Sequence, residues 1–324
     1  RKPMPEQEVL MAVERLDKWF PVRKMGRARG YVKAVNDVSL QIRRGETLGI
    51  VGESGCGKTT LGRAMIRLTD VTDGRVVFDG QDITHLSEKE LRPLRRDMQI
   101  IFQDPYSSLN PRMTVGDIIS EPLVFQNMYT PAERIERVRE LMDLCGLDPI
   151  YIRRYPHEFS GGQRQRIGIA RAIAVNPKFV LCDEPVSALD VSIQSQVINL
   201  LMDLQSRTGI AYAFISHNLN VVYHVSRRIA VLYLGRVVEL ADREDFKTNR
   251  AHPYTKALFE AIPQVGFDEQ QKRAPLTGDL PSPVDLPDGC VFHTRCPYTQ
   301  PRCRTEVPEL REIDPGHFVA CHLV

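Results

Sequence analysis

Several things are missing from this chain, and each absence excludes something. No apolar run approaches the roughly eighteen residues that a membrane-crossing helix needs, and the first residues lack the apolar core of a secretion signal. The chain is therefore expected to stay in the cytoplasm, with any membrane association supplied by a partner. Net charge is nearly absent: 43 Lys and Arg against 41 Asp and Glu leave +2, which gives no reason to invoke nucleic acid or a strongly acidic partner. The 7 cysteines include no Cys-x2-Cys pair, the usual source of zinc-ribbon ligands. Cys56, Cys145 and Cys182 are scattered, whereas Cys290, Cys296, Cys303 and Cys321 crowd the end of the sequence. A cytosolic chain keeps thiols reduced, so a disulfide framework is not expected. What remains is ordinary for a globular protein, at 42% hydrophobic and 26% charged residues, and 324 residues suit one domain with an appendage.

Three short apolar runs, Thr47 to Val51, Phe179 to Cys182 and Ala211 to Ile215, have the length of buried strands, and each leads into chemistry-bearing residues. That pattern predicts a parallel α/β sheet with ligands at the carboxyl ends of its strands. Val38, Leu40 and Ile42 alternate with polar neighbours and, with Val35, predict a strand ahead of the first run. Ser87-x-x-Glu90 and Thr130-x-x-Glu133 are capping boxes. The second opens a helix with Pro131 at its first position, an apolar stripe of Ile135, Val138, Leu141, Met142 and Cys145, and a stop at Gly146. Ile229 to Leu234, Gly235-Arg236 and Val237 to Leu240 read as a hairpin. Proline density rises beyond residue 262, which places a domain boundary there, between 1–262 and 263–324.

The first apolar run feeds Gly52-Glu53-Ser54-Gly55-Cys56-Gly57-Lys58-Thr59-Thr60, followed by a helical pattern. This is a phosphate-binding loop: glycines let the backbone close around phosphates while free N–H groups and a helix dipole point at one spot. Lys58 reaches the terminal phosphates and the Thr59 hydroxyl suits Mg²⁺. Cys56 lies inside the loop, where a small residue fits the turn. Asp183 follows a buried run, so its charge needs a partner, and Mg²⁺ held through water is the natural one. Glu184 beside it is placed to orient and polarise an attacking water. His217 can contact a γ-phosphate and steady that water.

Seven motifs in order resemble the ATP-binding cassette (ABC) ATPases over about residues 8 to 250. Phe20 resembles the aromatic that stacks on adenine, with Trp19 as a rival, and the loop is Gly52 to Thr59. Gln103 resembles the glutamine that joins the Mg²⁺ site to a helical subdomain, here about 104–175. Ser160-Gly161-Gly162-Gln163 is similar to the family signature, and Asp183-Glu184 to the end of the Walker B strand. Ser187 to Asp190 resembles the loop at the dimer interface, and Ser216-His217 the switch histidine. The resemblance implies a P-loop ABC fold with a RecA-like core, an antiparallel β subdomain and a helical subdomain. It also implies a head-to-tail dimer in which one chain's signature, opening a helix with Arg164, Arg166 and Arg171, closes on ATP held by the other's phosphate loop.

The four late cysteines, Cys290-x5-Cys296-x6-Cys303-x17-Cys321, leave zinc, an iron–sulfur cluster or no metal open on spacing alone. Their surroundings, His252-Pro-Tyr-Thr-Lys-Ala-Leu, Gly278-Asp-Leu-Pro-Ser-Pro and Gly289-Cys-x-Phe-x-x-Arg-Cys-Pro, resemble the C-terminal extension of oligopeptide/dipeptide importer ATPases. That resemblance implies a [4Fe–4S] cluster on the four cysteines, with His293, His317 and His322 as bystanders. It further implies a non-identical paired ATPase, two membrane permeases and an extracytoplasmic binding protein, with this chain peripheral at the cytoplasmic face of the inner membrane. Pro281-Ser-Pro283 and the stretch Pro105 to Pro111 lean towards the "F" member of the pair. A soluble ABC machine of DNA repair or translation is the alternative, but only about a hundred residues separate Lys58 from Ser160, too few for a long coiled-coil insertion, and one cassette is present. A P-loop kinase or GTPase leaves Ser160 to Gln163 and His217 unexplained.

Overall fold

The computed structural model describes residues 8–24, 27–260 and 280–324. The expected boundary at 262 falls outside the described residues. Two compact units are formed by the described residues, one from 8–10, 42–46 and 85–216, the other from 11–24, 27–41, 47–84, 217–260 and 280–324.

The first unit is built on parallel strands. Met98–Ile101 pairs with Phe179–Asp183 in the register Met98 to Phe179, and Phe179–Asp183 pairs with Ala211–Ile215 in the register Phe179 to Ala211. Every residue of Phe179–Asp183 and Ala211–Ile215 is buried, which explains their unbroken apolar runs. Helices Val115–Phe125, Pro131–Leu144, Gly161–Ile173 and Val191–Thr208 belong to this unit. Both expected capping boxes form: Ser87 N–H and hydroxyl donate to Glu90, and Thr130 N–H donates to Glu133 at 2.7 Å. In Pro131–Leu144 the stripe of Val138, Leu141 and Met142 is buried, as is Cys145 just beyond, but Ile135 stays exposed. The buried stripe thus starts one turn later than its sequence suggests. Gly146 takes the left-handed φ of +68° that ends a helix.

The second unit joins two sheets. Thr47–Val51 runs parallel to Arg228–Tyr233, which pairs antiparallel with Arg236–Asp242. The hairpin turn is Leu234-Gly235, one residue earlier than expected. Register pairs Tyr233 with Arg236, and both turn residues carry positive φ, as the favoured two-residue hairpin turn requires. The sheet continues through two C-terminal strands: His317–Val319 pairs with Arg236–Asp242, and Arg311–Asp314 with His317–Val319. A sheet of Val9–Lys24, Arg27–Arg43, Asp73–Phe78 and Gln81–Asp82 lies largely in this unit, its first, third and fourth strands paired antiparallel. Val35, Val38, Leu40 and Ile42 are buried along its second strand, as their spacing predicts.

The C-terminal segment carries its own apolar anchor. Phe292 is fully buried, its ring 5.2 Å from that of Tyr233 and 5.4 Å from that of Tyr254. Among the described residues no helix is long and apolar enough to cross a membrane.

Candidate functional site

In the second unit the strand Thr47–Val51 delivers the chain into a loop that only glycine can build. Gly57 has φ +103°, and a Cβ there would overlap the carbonyl oxygen of Ala34. Gly52 likewise leaves no space for a Cβ beside the carbonyl of Leu232. The loop ends at the helix Lys58–Met65, so its backbone leads straight to a helix N-terminus. Lys58 is buried and folds back, donating to the carbonyls of Gly52 at 2.8 Å and Glu53 at 2.9 Å. Ser54 and Gly55 are exposed at the crest, while Thr59 and Thr60 are half-buried in the first helical turn. Cys56 is buried and its thiol is raised by desolvation, with Lys58 opposing only in part, so it packs as a small residue.

Phe20 and Trp19 sit on Val9–Lys24 and differ in surroundings. Trp19 packs at 6.3 Å from Tyr31, whereas Phe20 is 40% exposed with the Lys18 ammonium 4.9 Å from its ring centre. His217 follows Ser216 and is exposed; Asn218 beside it caps the helix Leu219–Val225 by accepting from the N–H groups of Asn220 and Val221.

In the first unit Asp183 ends its strand and is only 1% exposed. Glu184 is half-buried and adopts φ +49°, a conformation uncommon for a residue with a side chain and one that clusters at functional sites. Its N–H donates to the Ile215 carbonyl at 3.0 Å, and the Glu184 carbonyl accepts from the Ser187 hydroxyl at 3.1 Å. Gln103 Nε2 donates to Glu184 Oε2 at 3.1 Å. Sequence spacing did not reveal that contact, nor the backbone twist. The hydroxyl of Thr59, the carboxylate of Asp183 and the amide oxygen of Gln103 are hard oxygen donors of the kind Mg²⁺ takes.

Ser160 caps the helix Gly161–Ile173: its hydroxyl accepts from Gln163 N–H at 3.3 Å, and Gln163 Oε1 accepts from Ser160 N–H at 3.0 Å. Gly162 is buried against Ile193, where a Cβ would crowd the Ile193 side chain, and Gly161 is half-buried. The arginines of this helix are engaged elsewhere. Arg164 donates to Pro156, Arg166 to Cys145 and Arg171 to Ser108, all at carbonyl oxygens. The anion-attracting element here is therefore the helix terminus rather than a cluster of open guanidinium groups. Asp190 is exposed at the start of Val191–Thr208.

The iron–sulfur expectation is corrected by the structure. Among the described residues no group of three or more His, Cys, Asp or Glu is placed to hold a metal ion. Cys290, Cys303 and Cys321 are buried and Cys296 is half-buried. Desolvation pushes the Cys290 thiol up to about 11 and raises those of Cys296 and Cys321, so they pack as neutral, small apolar groups. The three histidines are occupied by protein: His293 Nδ1 lies 2.9 Å from the Cys290 carbonyl, His317 Nε2 2.8 Å from Glu239 Oε1, and His322 Nε2 2.9 Å from the Glu306 carbonyl. The segment gains its order from Phe292, from strand pairing and from the Glu239–His317 contact.

Comparison with known proteins accords with this geometry. The ABC transporter family model matches residues 35–187, and the model for the oligopeptide/dipeptide transporter C-terminal region matches residues 238–303. The oligopeptide transport ATP-binding protein AppF of Bacillus subtilis is 53% identical over 98% of this chain and 98% of its own. A putative peptide import ATP-binding protein of Brucella ovis is 53% identical over 96% and 97%. Among solved structures, the dimeric post-hydrolysis state of the cassette MJ0796 bound to ADP and Pi superposes with TM-score 0.65 at 31% identity, covering 72% of this chain and 99% of that one. With a relative this similar over its whole length, the chain belongs to the ABC transporter family as an ATP-binding ATPase subunit, in the branch that carries the oligopeptide/dipeptide transporter C-terminal region.

Proposed function

We propose that this subunit hydrolyses ATP to drive import of di- or oligopeptides through a membrane complex. The observation that carries the cargo is the 53% identity, over 98% of both chains, with an oligopeptide transport ATP-binding protein. The same relative supports the lean towards the "F" member. The complex would hold two permeases and a paired, non-identical ATPase at the cytoplasmic face of the inner membrane, fed by an extracytoplasmic binding protein. The cassette dimer bound to ADP and Pi supports the pairing of two ATPases.

In this reading residues 52–60 cradle the triphosphate and Lys58 turns from its two loop carbonyls to the terminal phosphates. Phe20, the more exposed ring, stacks on adenine. Mg²⁺ held by Thr59, Asp183 and Gln103 would neutralise charge building up on the phosphates. Glu184 orients the attacking water, with Gln103 fixing its carboxylate, and His217 steadies the γ-phosphate. Ser160, Gly161, Gly162 and Gln163 address the ATP of the partner subunit, and Asp190 lies at that interface. The alternative, a soluble machine of DNA repair or translation, draws no support from relatives that match over their full length and carry transport names.

The test is reconstitution. The subunit, its paired ATPase and the two permeases are placed in vesicles with the binding protein, and uptake of labelled di- and oligopeptides is followed. ATP-dependent accumulation is expected. ATP hydrolysis that no peptide stimulates, with no uptake, refutes the cargo.

A further inference from the structure

The C-terminal segment reaches into the phosphate loop itself. Arg295 Nη1 donates to Glu53 Oε2 at 2.6 Å and Nη2 donates to Glu53 Oε1 at 3.1 Å. Two parallel charge-assisted bonds of this kind fix both the position and the direction of a carboxylate. The Arg295 side chain is 5% exposed and that of Glu53 28%, so solvent screens the pair weakly. Arg295 Nη1 also lies 3.4 Å from the Tyr233 hydroxyl, and Glu53 N–H donates to the Tyr254 hydroxyl at 3.0 Å. Both tyrosines pack on Phe292, and the Arg295 N–H donates to the Phe292 carbonyl at 3.0 Å. Glu53 is thus held at its side chain and its backbone by one assembly built around residues 292–295.

A carboxylate in a loop that binds phosphates works against its ligand by like-charge repulsion, and in a half-buried place that repulsion is strong. A guanidinium clamped on the same carboxylate cancels it. A lysine would not do the same, because it lacks the rigid fork that meets both oxygens at once.

We propose that Arg295 is a positioning residue of the nucleotide site: by neutralising and orienting Glu53 it makes the C-terminal segment part of ATP binding. This rests on residues 52–60 being the ATP-binding loop. Loss of Arg295 leaves Glu53 as an uncompensated anion facing the phosphates, whereas removal of both charges leaves nothing to compensate.

The experiment is calorimetric titration of the intact chain with Mg-ATP at fixed ionic strength, for wild type, Arg295→Gln, Glu53→Gln, the double variant and Lys58→Ala. Arg295→Gln should weaken ATP binding about tenfold, the order expected of one weakly screened charge. The double variant should return to within about threefold of wild type, because the two sites are directly coupled. Glu53→Gln alone should bind ATP more tightly than wild type, because Arg295 is then left as an unopposed cation beside the loop. Arg295→Gln binding within about twofold of wild type overturns the proposal, as does a double variant as weak as Arg295→Gln, which would make Arg295 only an anchor. Should Arg295→Gln fail to fold, Glu53→Gln decides, and binding no tighter than wild type overturns the proposal. Wild-type protein that binds no ATP, or Lys58→Ala binding normally, would instead refute the reading of the loop.

Discussion

The side-chain amide of Gln103 holds the carboxylate of Glu184 by a hydrogen bond of 3.1 Å across 81 residues of sequence. Glu184 therefore does not choose its own rotamer, and a glutamine on a separate strand end can decide whether it points at water. Gln103→Ala should lower peptide-stimulated kcat about tenfold, the order of losing one orienting contact at a reacting group. ATP affinity should change little, because the phosphate loop is untouched. Outright loss of ATP binding would show that Gln103 does not act through Glu184.

Glu184→Gln keeps the side chain's shape and an oxygen for Gln103 but removes the charge proposed to polarise water. Hydrolysis should fall by about 10² to 10⁴, the usual contribution of a positioned base. ATP should still bind, and an ATP-bound dimer should accumulate on gel filtration. Wild-type turnover in that complex would refute the assignment.

The left-handed backbone of Glu184 yields a different expectation for Glu184→Gly. Glycine removes the steric cost of φ +49°, so thermal unfolding should show a gain of about 1 kcal/mol while hydrolysis is abolished. A destabilised variant would mean that the side chain's contacts outweigh its backbone strain.

Gly57→Ala brings a Cβ into the Ala34 carbonyl at a φ of +103°. The loop must open, and ATP affinity should drop by about 100-fold or more, since a strained residue and a backbone overlap together cost several kcal/mol. Filter binding of labelled ATP checks it, and near-normal affinity would show that the loop tolerates another shape.

The Glu239–His317 contact, 2.8 Å and wholly buried, gives the C-terminal hairpin a dependence on pH. The His317 imidazole is raised from 6.5, first by its hydrogen bond to Glu239, against desolvation, with Asp245 and Asp314 adding to the attraction. Its stabilisation is fully present below 6.5 and is lost as pH climbs through the raised folded value. Burial alone would raise Glu239, but hydrogen bonds led by His317 and the Ala251 N–H prevail and lower it from 4.5. Its stabilisation is present above 4.5 and is lost as pH falls through the lowered folded value. Protection of the amides of residues 311–319 against exchange, relative to their intrinsic rates at each pH, should be greatest between those limits and fall on both sides. His317→Gln should remove the alkaline limb, and an unchanged profile would rule the pair out.

What could be read from sequence follows the range over which each signal is encoded. The glycine-built shape of the loop at residues 52–57 was legible because its glycines answer local backbone demands, and the two capping boxes because their partners lie three residues apart. The twist at Glu184 was not, since nothing about a glutamate announces a positive φ imposed by Ile215 and Ser187. Arg295 and Glu53 lie 242 positions apart, and only tertiary pairing joins them. Ile135 shows periodicity overrating burial where a helix has barely reached its neighbours. The four late cysteines differ for another reason. Their spacing leaves the metal open, and the cluster came from the resemblance to the importer C-terminal extension. Among the described residues no metal-holding group forms, and apolar packing and strand pairing order the segment.

The strand pairing has a consequence at the sheet's rim. Arg236–Asp242 is almost wholly buried and rich in apolar residues, and as an outermost strand it would offer its unpaired backbone to any extended chain. His317–Val319 and Arg311–Asp314 cover it, and the last of these presents Arg311, Glu312 and Asp314 largely to water. Charges on an outermost strand discourage strand addition by neighbours. The C-terminal hairpin therefore also serves as a guard against self-association: a cassette cut before Arg311 would keep its nucleotide loop but bare a sticky rim. In a cassette that works as a dimer, such a rim would favour the wrong pairings.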